Sequence, residues 1–175
     1  MTDTAIQLLT TCGADRIEHP GGTLLAHLQR VSSRLSEWGA RPALRQAGLC
    51  HAFYGTDGFA TSLWELDRRP ELATAIGAEA ETLVYFYASC DRRASYPRLA
   101  EGDGVFLDRF TGDQFTPTPD QRRDFAELTA ANELDLAHVN PAFRAEHGAS
   151  LLKLFTRLRP LLSDAAWLDC HSVLG

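Results

Sequence analysis

Two histidines on neighbouring predicted helices are the residues of this chain best suited to chemistry. His27 lies on the apolar stripe that also holds Val31, in a helix that Thr23 should cap. His51 closes a second helix whose first turn contains Pro42. Both rings should therefore point towards the core, where an imidazole can bind a metal ion, transfer a proton or simply satisfy a backbone carbonyl. Two inward histidines favour the functional interpretation.

The glycine-containing turn directly after His51 adds further polar groups. Tyr54 and Thr56 carry hydroxyls, and Asp57 carries a carboxylate. We expect Tyr54 to share the catalytic role of the histidines, and Thr56, Asp57 and Arg92 to bind substrate.

Length, composition and charge limit the classes of protein to consider. A chain of 175 residues with 45% hydrophobic content fits one domain over residues 1–175. The net charge of −6 argues against nucleic acid or an anionic membrane as the main partner and leaves a small molecule as the expected ligand. No apolar run approaches the roughly 20 residues that span a bilayer, and no signal peptide is recognisable, so we expect a cytoplasmic protein. The oligomeric state is left open.

Four isolated cysteines argue against a structural zinc site or a disulfide framework. They are Cys12, Cys50, Cys90 and Cys170, and no two of them form a C-x-x-C pair. We expect free thiols, with Cys50 and Cys90 as small buried hydrophobic residues.

The apolar periodicity predicts an all-α helical bundle with one small β-hairpin or ordered flap near residues 104–116. Segment 15–22 should be irregular because Pro20 and two glycines fall within it. His19 in this segment can either lean towards the site or lie in a surface loop, and the surface position is the preferred interpretation. A helix that begins at Pro141 should end at Gly148.

The longest predicted helix carries a polar residue in its apolar row. Thr118 and Gln121 form a capping-box pattern, and the helix should extend to about His138. Asn132 lies in the inward row, so its amide must find hydrogen-bond partners or contact a ligand. We therefore add Asn132 to the candidate catalytic residues.

Three short segments, two around the histidines and one on the longest helix, follow one another in a distinctive order. They are Leu25-Ala26-His27-Leu28, Ala47-Gly48-Leu49-Cys50-His51 and Ala130-Ala131-Asn132-Glu133-Leu134-Asp135. Over about residues 14–140 this order resembles the HD-domain superfamily of helical metal-dependent phosphohydrolases. The likeness is greatest to the hydrolase domain of guanosine tetraphosphate synthetase/hydrolase enzymes, in a divergent branch with a His-x-x-Tyr-Gly-Thr motif. The resemblance implies an HD-domain-like helical bundle.

The chain departs from the family pattern at both anionic metal ligands. Ala52 stands where the family has the aspartate of its His-Asp pair, and Asn132 stands where it has the final aspartate. Two imidazoles and one amide should hold Mn²⁺ or Mg²⁺ poorly, because they leave the cation's charge unbalanced.

The resemblance therefore implies a weak or absent site for a divalent transition metal (Mn, Fe or Zn) on His27 and His51. Another carboxylate would have to complete such a site. Asp57 is the first candidate, ahead of Asp91 and Asp135.

The sequence favours two functions over a purely structural partner protein, because packing alone would not select two histidines and an asparagine instead of apolar residues. The first is a small-molecule enzyme of the hydrolase or lyase type whose altered site is built around His27 and His51. The second is a metal-free ligand-binding or sensor module that kept the pocket and lost catalysis. The sequence identifies neither a substrate nor a reaction.

Overall fold

Apolar residues at helical spacing form nine α-helices in residues 2–175, the part of the chain described by the computed structural model. The helices in chain order are α1 (Thr2–Thr11), α2 (Leu24–Glu37), α3 (Pro42–Cys50), α4 (Arg69–Ile76), α5 (Ala78–Ala88), α6 (Arg92–Ser95), α7 (Pro119–Val139), α8 (Pro141–Leu158) and α9 (Asp164–Leu174). The predicted all-α class is confirmed.

The predicted hairpin in segment 104–116 is also confirmed. Strands β3 (Phe106–Leu107) and β4 (Gln114–Phe115) pair antiparallel, with Phe106 opposite Phe115. The Asp108 carboxylate stabilises the turn by accepting the backbone N–H of Phe110 at 2.8 Å, and Gly112 adopts a positive φ of 80°.

A second hairpin lies in the segment that was expected to be irregular. Strands β1 (Glu18–His19) and β2 (Gly22–Thr23) are paired antiparallel. Gly21 makes the connection at a φ of 79°, so the glycines that predicted irregular chain instead form a tight turn. This hairpin leads directly into α2 and holds His19 above it.

The sequence signals at the helix starts act as predicted. The Thr23 hydroxyl accepts the Ala26 N–H at 3.2 Å at the start of α2. In α7, the Thr118 hydroxyl accepts the Gln121 N–H at 3.2 Å, and the Gln121 side chain accepts the Thr118 N–H at 2.8 Å. These caps fix where the helices carrying His27 and Asn132 begin.

The expected helix end at Gly148 is wrong. Helix α8 continues through Gly148 to Leu158, because a lone glycine in a helix loses only about 1 kcal/mol relative to alanine and the apolar stripe continues beyond it.

The core lies where α2, α3, α5 and α7 pack against one another. Leu28, Val31 and Leu35 of α2 are fully buried. Helices α2 and α3 approach closely because Gly48 faces Leu35 across their interface, and a Cβ added at Gly48 would lie 2.5 Å from Leu35 Cδ1. This close packing sets the distance between the helices that carry the two histidines. No helix in residues 2–175 has the length and apolarity needed to cross a membrane.

The tight α2/α3 interface gives a stability prediction. Gly48→Ala should lower the free energy of unfolding by about 1–3 kcal/mol, because the new methyl group overpacks Leu35 despite the better helix propensity of alanine. The matched control is Gly148→Ala, where the nearest atom to the new Cβ is 3.6 Å away. In that variant the free energy of unfolding should rise by about 0.5–1 kcal/mol. Urea unfolding followed by circular dichroism measures both, and equal effects would contradict the close-packing argument.

Candidate functional site

A cavity of about 390 Å³ opens between the β1–β2 hairpin, the end of α3 and helix α7. Its polar lining residues are His19, His27, His51, Thr56, Arg92, Asn132, Glu133 and Asn140. A larger cleft of about 740 Å³ beside α5 holds no histidine in its lining. Perturbed titratable groups converge in the smaller cavity, so we regard it as the candidate site.

The His27 ring is held from one side by a buried hydrogen bond to a carboxylate. Its Nδ1–H donates to Asp135 Oδ2 at 2.6 Å, and both residues are 1% exposed. Arg30 donates from Nε and Nη2 to the same carboxylate at 2.7 and 2.9 Å. Burial raises the pKa of Asp135, but the hydrogen bonds from His27 and Arg30 outweigh burial and hold it below the usual value. Asp135 therefore fixes the orientation of the His27 ring.

The other nitrogen of His27 faces an amide. Nε2 lies 3.0 Å from Asn132 Oδ1, and Asn132 Nδ2 donates to Glu133 Oε1 at 3.2 Å. The Glu133 carboxylate can only accept when ionised, so it sets the orientation of the amide. With the amide oxygen turned to His27, both ring nitrogens donate, which is the hydrogen-bonding pattern of an imidazolium. Asn132 thus connects His27 to Glu133 across the cavity wall.

His51 presents a free nitrogen to the cavity. Its Nδ1–H donates to the Gly48 carbonyl at 2.7 Å, so the neutral ring carries its lone pair on Nε2. Within residues 2–175, Nε2 has no hydrogen-bond partner. Burial, with a smaller contribution from the nearby charge of His27, lowers the pKa of His51 to about 3. The ring is therefore neutral at pH 7 and offers an acceptor to a bound molecule.

The two predicted histidines come together as expected. The His27 and His51 ring centroids are 5.4 Å apart with an interplanar angle of 80°. They lie on adjacent elements whose inward rows meet at the cavity, which is why helical spacing was sufficient to predict the pair.

A third histidine, for which the sequence favoured a surface position over the site, covers the pair. His19 stacks on His27 with the ring centroids 4.1 Å apart, and its Nδ1 is buried with no hydrogen-bond partner in the described chain. Burial, followed by the charge of His27, lowers its pKa to about 4. Its location depends on the β1–β2 hairpin, so the interpretation as a surface residue is corrected.

Arg92 lies at the outer edge of the cavity, where substrate binding was predicted for it. Its Nη1 donates to Glu133 Oε1 at 3.3 Å, and its guanidinium packs so closely on Gly58 that a Cβ there would lie 2.6 Å from Nη1. Its Nε and Nη2 make no hydrogen bond to residues 2–175. Several N–H donors of Arg92 are thus available to a ligand.

Two of the other predicted residues do not face the cavity, and one does. Thr56 lines the cavity, although its hydroxyl accepts the Phe59 N–H at 3.0 Å. The Tyr54 hydroxyl donates to Glu81 at 3.1 Å on another side of the turn, away from the cavity lining. The exposed Asp57 accepts the Arg92 backbone N–H at 2.8 Å. The structure thus assigns structural contacts to Tyr54 and Asp57, because the turn closes back on α6 and on Glu81.

Of the three carboxylates considered as extra metal ligands, Asp135 alone contacts a candidate histidine within the described chain. Asp91 accepts the Ala94 N–H at 2.9 Å and caps α6, and Asp57 holds Arg92. Asp135 follows Asn132 by three residues and so lies on the same face of the helix. This spacing is visible in the sequence and would have favoured Asp135 over Asp57 and Asp91.

The donor set does not fit a divalent metal ion. Both ring nitrogens of His27 are hydrogen-bonded, one to Asp135 and the other to Asn132. Of the four ring nitrogens of His27 and His51, Nε2 of His51 is therefore the one without a partner in the described chain. No group of three or more histidine, cysteine, aspartate or glutamate side chains in residues 2–175 is arranged to hold a metal ion. The described residues therefore do not supply the ligands that a Mn, Fe or Zn site would need, and whether the protein holds such an ion weakly stays a prediction.

Comparison with known proteins gives one match. A family model described as "Domain of unknown function (DUF6817)" matches residues 8–92. The matched segment contains His19, His27, His51 and Arg92, and it ends before α7, which carries Asn132 and Asp135. Neither the curated proteins nor the solved structures contain a match.

Proposed function

We propose that this chain is a small-molecule enzyme of the hydrolase or lyase type that uses acid–base chemistry on an HD-domain-like scaffold. The observation that carries the proposal is the free Nε2 of His51, which faces a cavity of about 390 Å³ beside the Asp135-oriented His27. Sites of this volume commonly bind small molecules. Because the described side chains around the cavity do not form a donor set suited to a divalent metal ion, we assign the chemistry to the histidines themselves.

The two histidines have complementary roles in this proposal. Neutral His51 accepts a hydrogen bond through Nε2 from the water molecule of a hydrolase or from a substrate hydroxyl of a lyase, and it takes up the proton only if the charge of the bound substrate raises the low pKa of this ring. His27 donates from Nε2, the nitrogen that faces Asn132 Oδ1 at 3.0 Å, and a bound ligand would take the place of that amide oxygen as acceptor. Asp135 fixes the orientation of the His27 ring by accepting its Nδ1–H, as a buried carboxylate does for other catalytic histidines.

A second candidate function is a metal-free ligand-binding or sensor module. The observation that favours it is the pairing of both His27 nitrogens, which leaves His51 as a hydrogen-bond acceptor rather than part of a proton relay. Either function implies a small-molecule partner, which the net charge of −6 also favours over nucleic acid or an anionic membrane. A cytoplasmic location stays a prediction from the sequence.

Replacement of His51 tests the proposed chemistry. His51→Gln should lower turnover about 10²–10⁴-fold, because the amide cannot accept a proton as imidazole does. The measurement is mass-spectrometric detection of consumption from a pool of small esters, organic acids and phosphate esters incubated with the full chain.

The matched control is His138→Gln on the exposed side of α7, which should turn over at the wild-type rate. A wild-type protein that binds members of the pool without consuming any of them supports the sensor module instead. A His51→Gln variant with undiminished turnover contradicts the assigned role of His51.

A further inference from the structure

A second cleft adjoins the candidate site and shares part of its wall. It has a volume of about 420 Å³, and Arg92, Glu133 and Phe143 line both this cleft and the histidine cavity. Arg92 and Glu133 form the ion pair at the junction. A ligand bound at Arg92 can therefore reach into both spaces.

The cleft is positively charged although the chain as a whole is acidic. Arg92, Arg93 and Arg157 line it together with one carboxylate, that of Glu133. Neither Arg93 nor Arg157 forms an ion pair with residues 2–175. The other side chain in the lining that can become positively charged is His147, whose nearest carboxylate is Glu146 at 3.7 Å. Three arginines against one carboxylate favour an anionic group.

The walls of both spaces are otherwise largely apolar. Tyr96, Leu151 and Leu154 line the arginine cleft, and Leu24 and Phe59 line the histidine cavity. The Tyr96 hydroxyl is buried and has no hydrogen-bond partner in the described chain.

We infer that the ligand of this site is an amphipathic organic anion, with its acidic group on Arg92, Arg93 and Arg157 and its apolar body extending past Phe143 to His51. This inference rests on the proposed function, since it names the class of molecule taken by the same site. The acidic group is a carboxylate or a phosphate monoester, because both match the planar fork of N–H donors on a guanidinium. The apolar body presents its reacting bond to His51.

Calorimetric titration with three probes of equal chain length tests the inference. Octanoate, octyl phosphate and octan-1-ol are titrated into the full chain, into the double variant Arg93→Gln/Arg157→Gln and into Arg123→Gln. Arg123 is an exposed arginine of α7 outside both cavities, and it serves as the matched control. We expect at least one anion to bind the wild type about tenfold more tightly than octanol. The double variant should bind the anion about tenfold more weakly than the wild type does, and it should bind octanol with unchanged affinity.

Each outcome decides the inference. Tighter octanoate binding identifies a carboxylic acid, and tighter octyl phosphate binding identifies a phosphate monoester. Anions that bind no better than octanol, or a double variant that matches Arg123→Gln, overturn it. The arginine variants bear on the anion alone, whereas loss of turnover in His51→Gln bears on the proposed reaction. Failure of one is therefore distinguishable from failure of the other.

Discussion

Asp135→Ala should lower the free energy of unfolding by about 3–5 kcal/mol, a large fraction of the stability of a domain of this size. Asp135 is 1% exposed and accepts hydrogen bonds from His27 and Arg30. Removal of the carboxylate leaves the buried Nδ1–H of His27 without an acceptor and Arg30 without its ion-pair partner, and it leaves a cavity in the core. Urea unfolding at pH 7 measures the loss.

Two further variants make this measurement decisive. Asp120→Ala lies in the first turn of the same helix, with its side chain 85% exposed, and should cost no more than about 1 kcal/mol. Asp135→Asn keeps the shape and one acceptor, so it should fold even if the alanine variant does not, at a smaller cost. An Asp135→Ala protein as stable as Asp120→Ala would show that the buried network does not hold α2 against α7.

The second large effect is a loss of stability in mild acid caused by His51. The ring is buried and neutral in the folded protein, where its pKa is lowered to about 3, whereas an unfolded chain titrates near the ordinary value of 6.5. Below pH 6.5 the unfolded state therefore binds a proton that the folded state does not bind, so the free energy of unfolding falls as the pH falls. His51 alone should remove about 3 kcal/mol between pH 6.5 and pH 4.

Unfolding measured in urea at several pH values between 7 and 4 checks this effect. His51→Gln should reduce the slope but not abolish it, because the glutamine does not titrate whereas His19, whose pKa is lowered to about 4, still contributes in the same pH range. His138→Gln should follow the wild type, because His138 is exposed. The stabilisation that Asp135 contributes is also lost in acid. Because its pKa is lowered from 3.8, that loss occurs below the range of pH 7–4 in which the unfolding is measured. Equal slopes in wild type and His51→Gln would rule out the neutral buried ring.

The sequence determined the helices and the faces that their polar residues occupy. Thr23 and the Thr118–Gln121 box placed the starts of α2 and α7, and apolar spacing then placed His27 and Asn132 in inward rows. These signals act over one or two helical turns, so they can be recognised without knowledge of the fold. The same reasoning predicted the hairpin at residues 104–116, whose turn is stabilised by nearby residues.

The tertiary structure alone decided which polar groups share a cavity. His19 reaches His27 because a hairpin, rather than irregular chain, precedes α2, and Asp135 reaches His27 across 108 residues of sequence. Asp57 and Tyr54 looked equally suited to the site, but the turn that holds them directs their side chains to Arg92 and Glu81. Such choices depend on the relative placement of α2, α6 and α7. That placement is set by packing between residues distant in sequence. Local propensity and spacing carry no information about such packing.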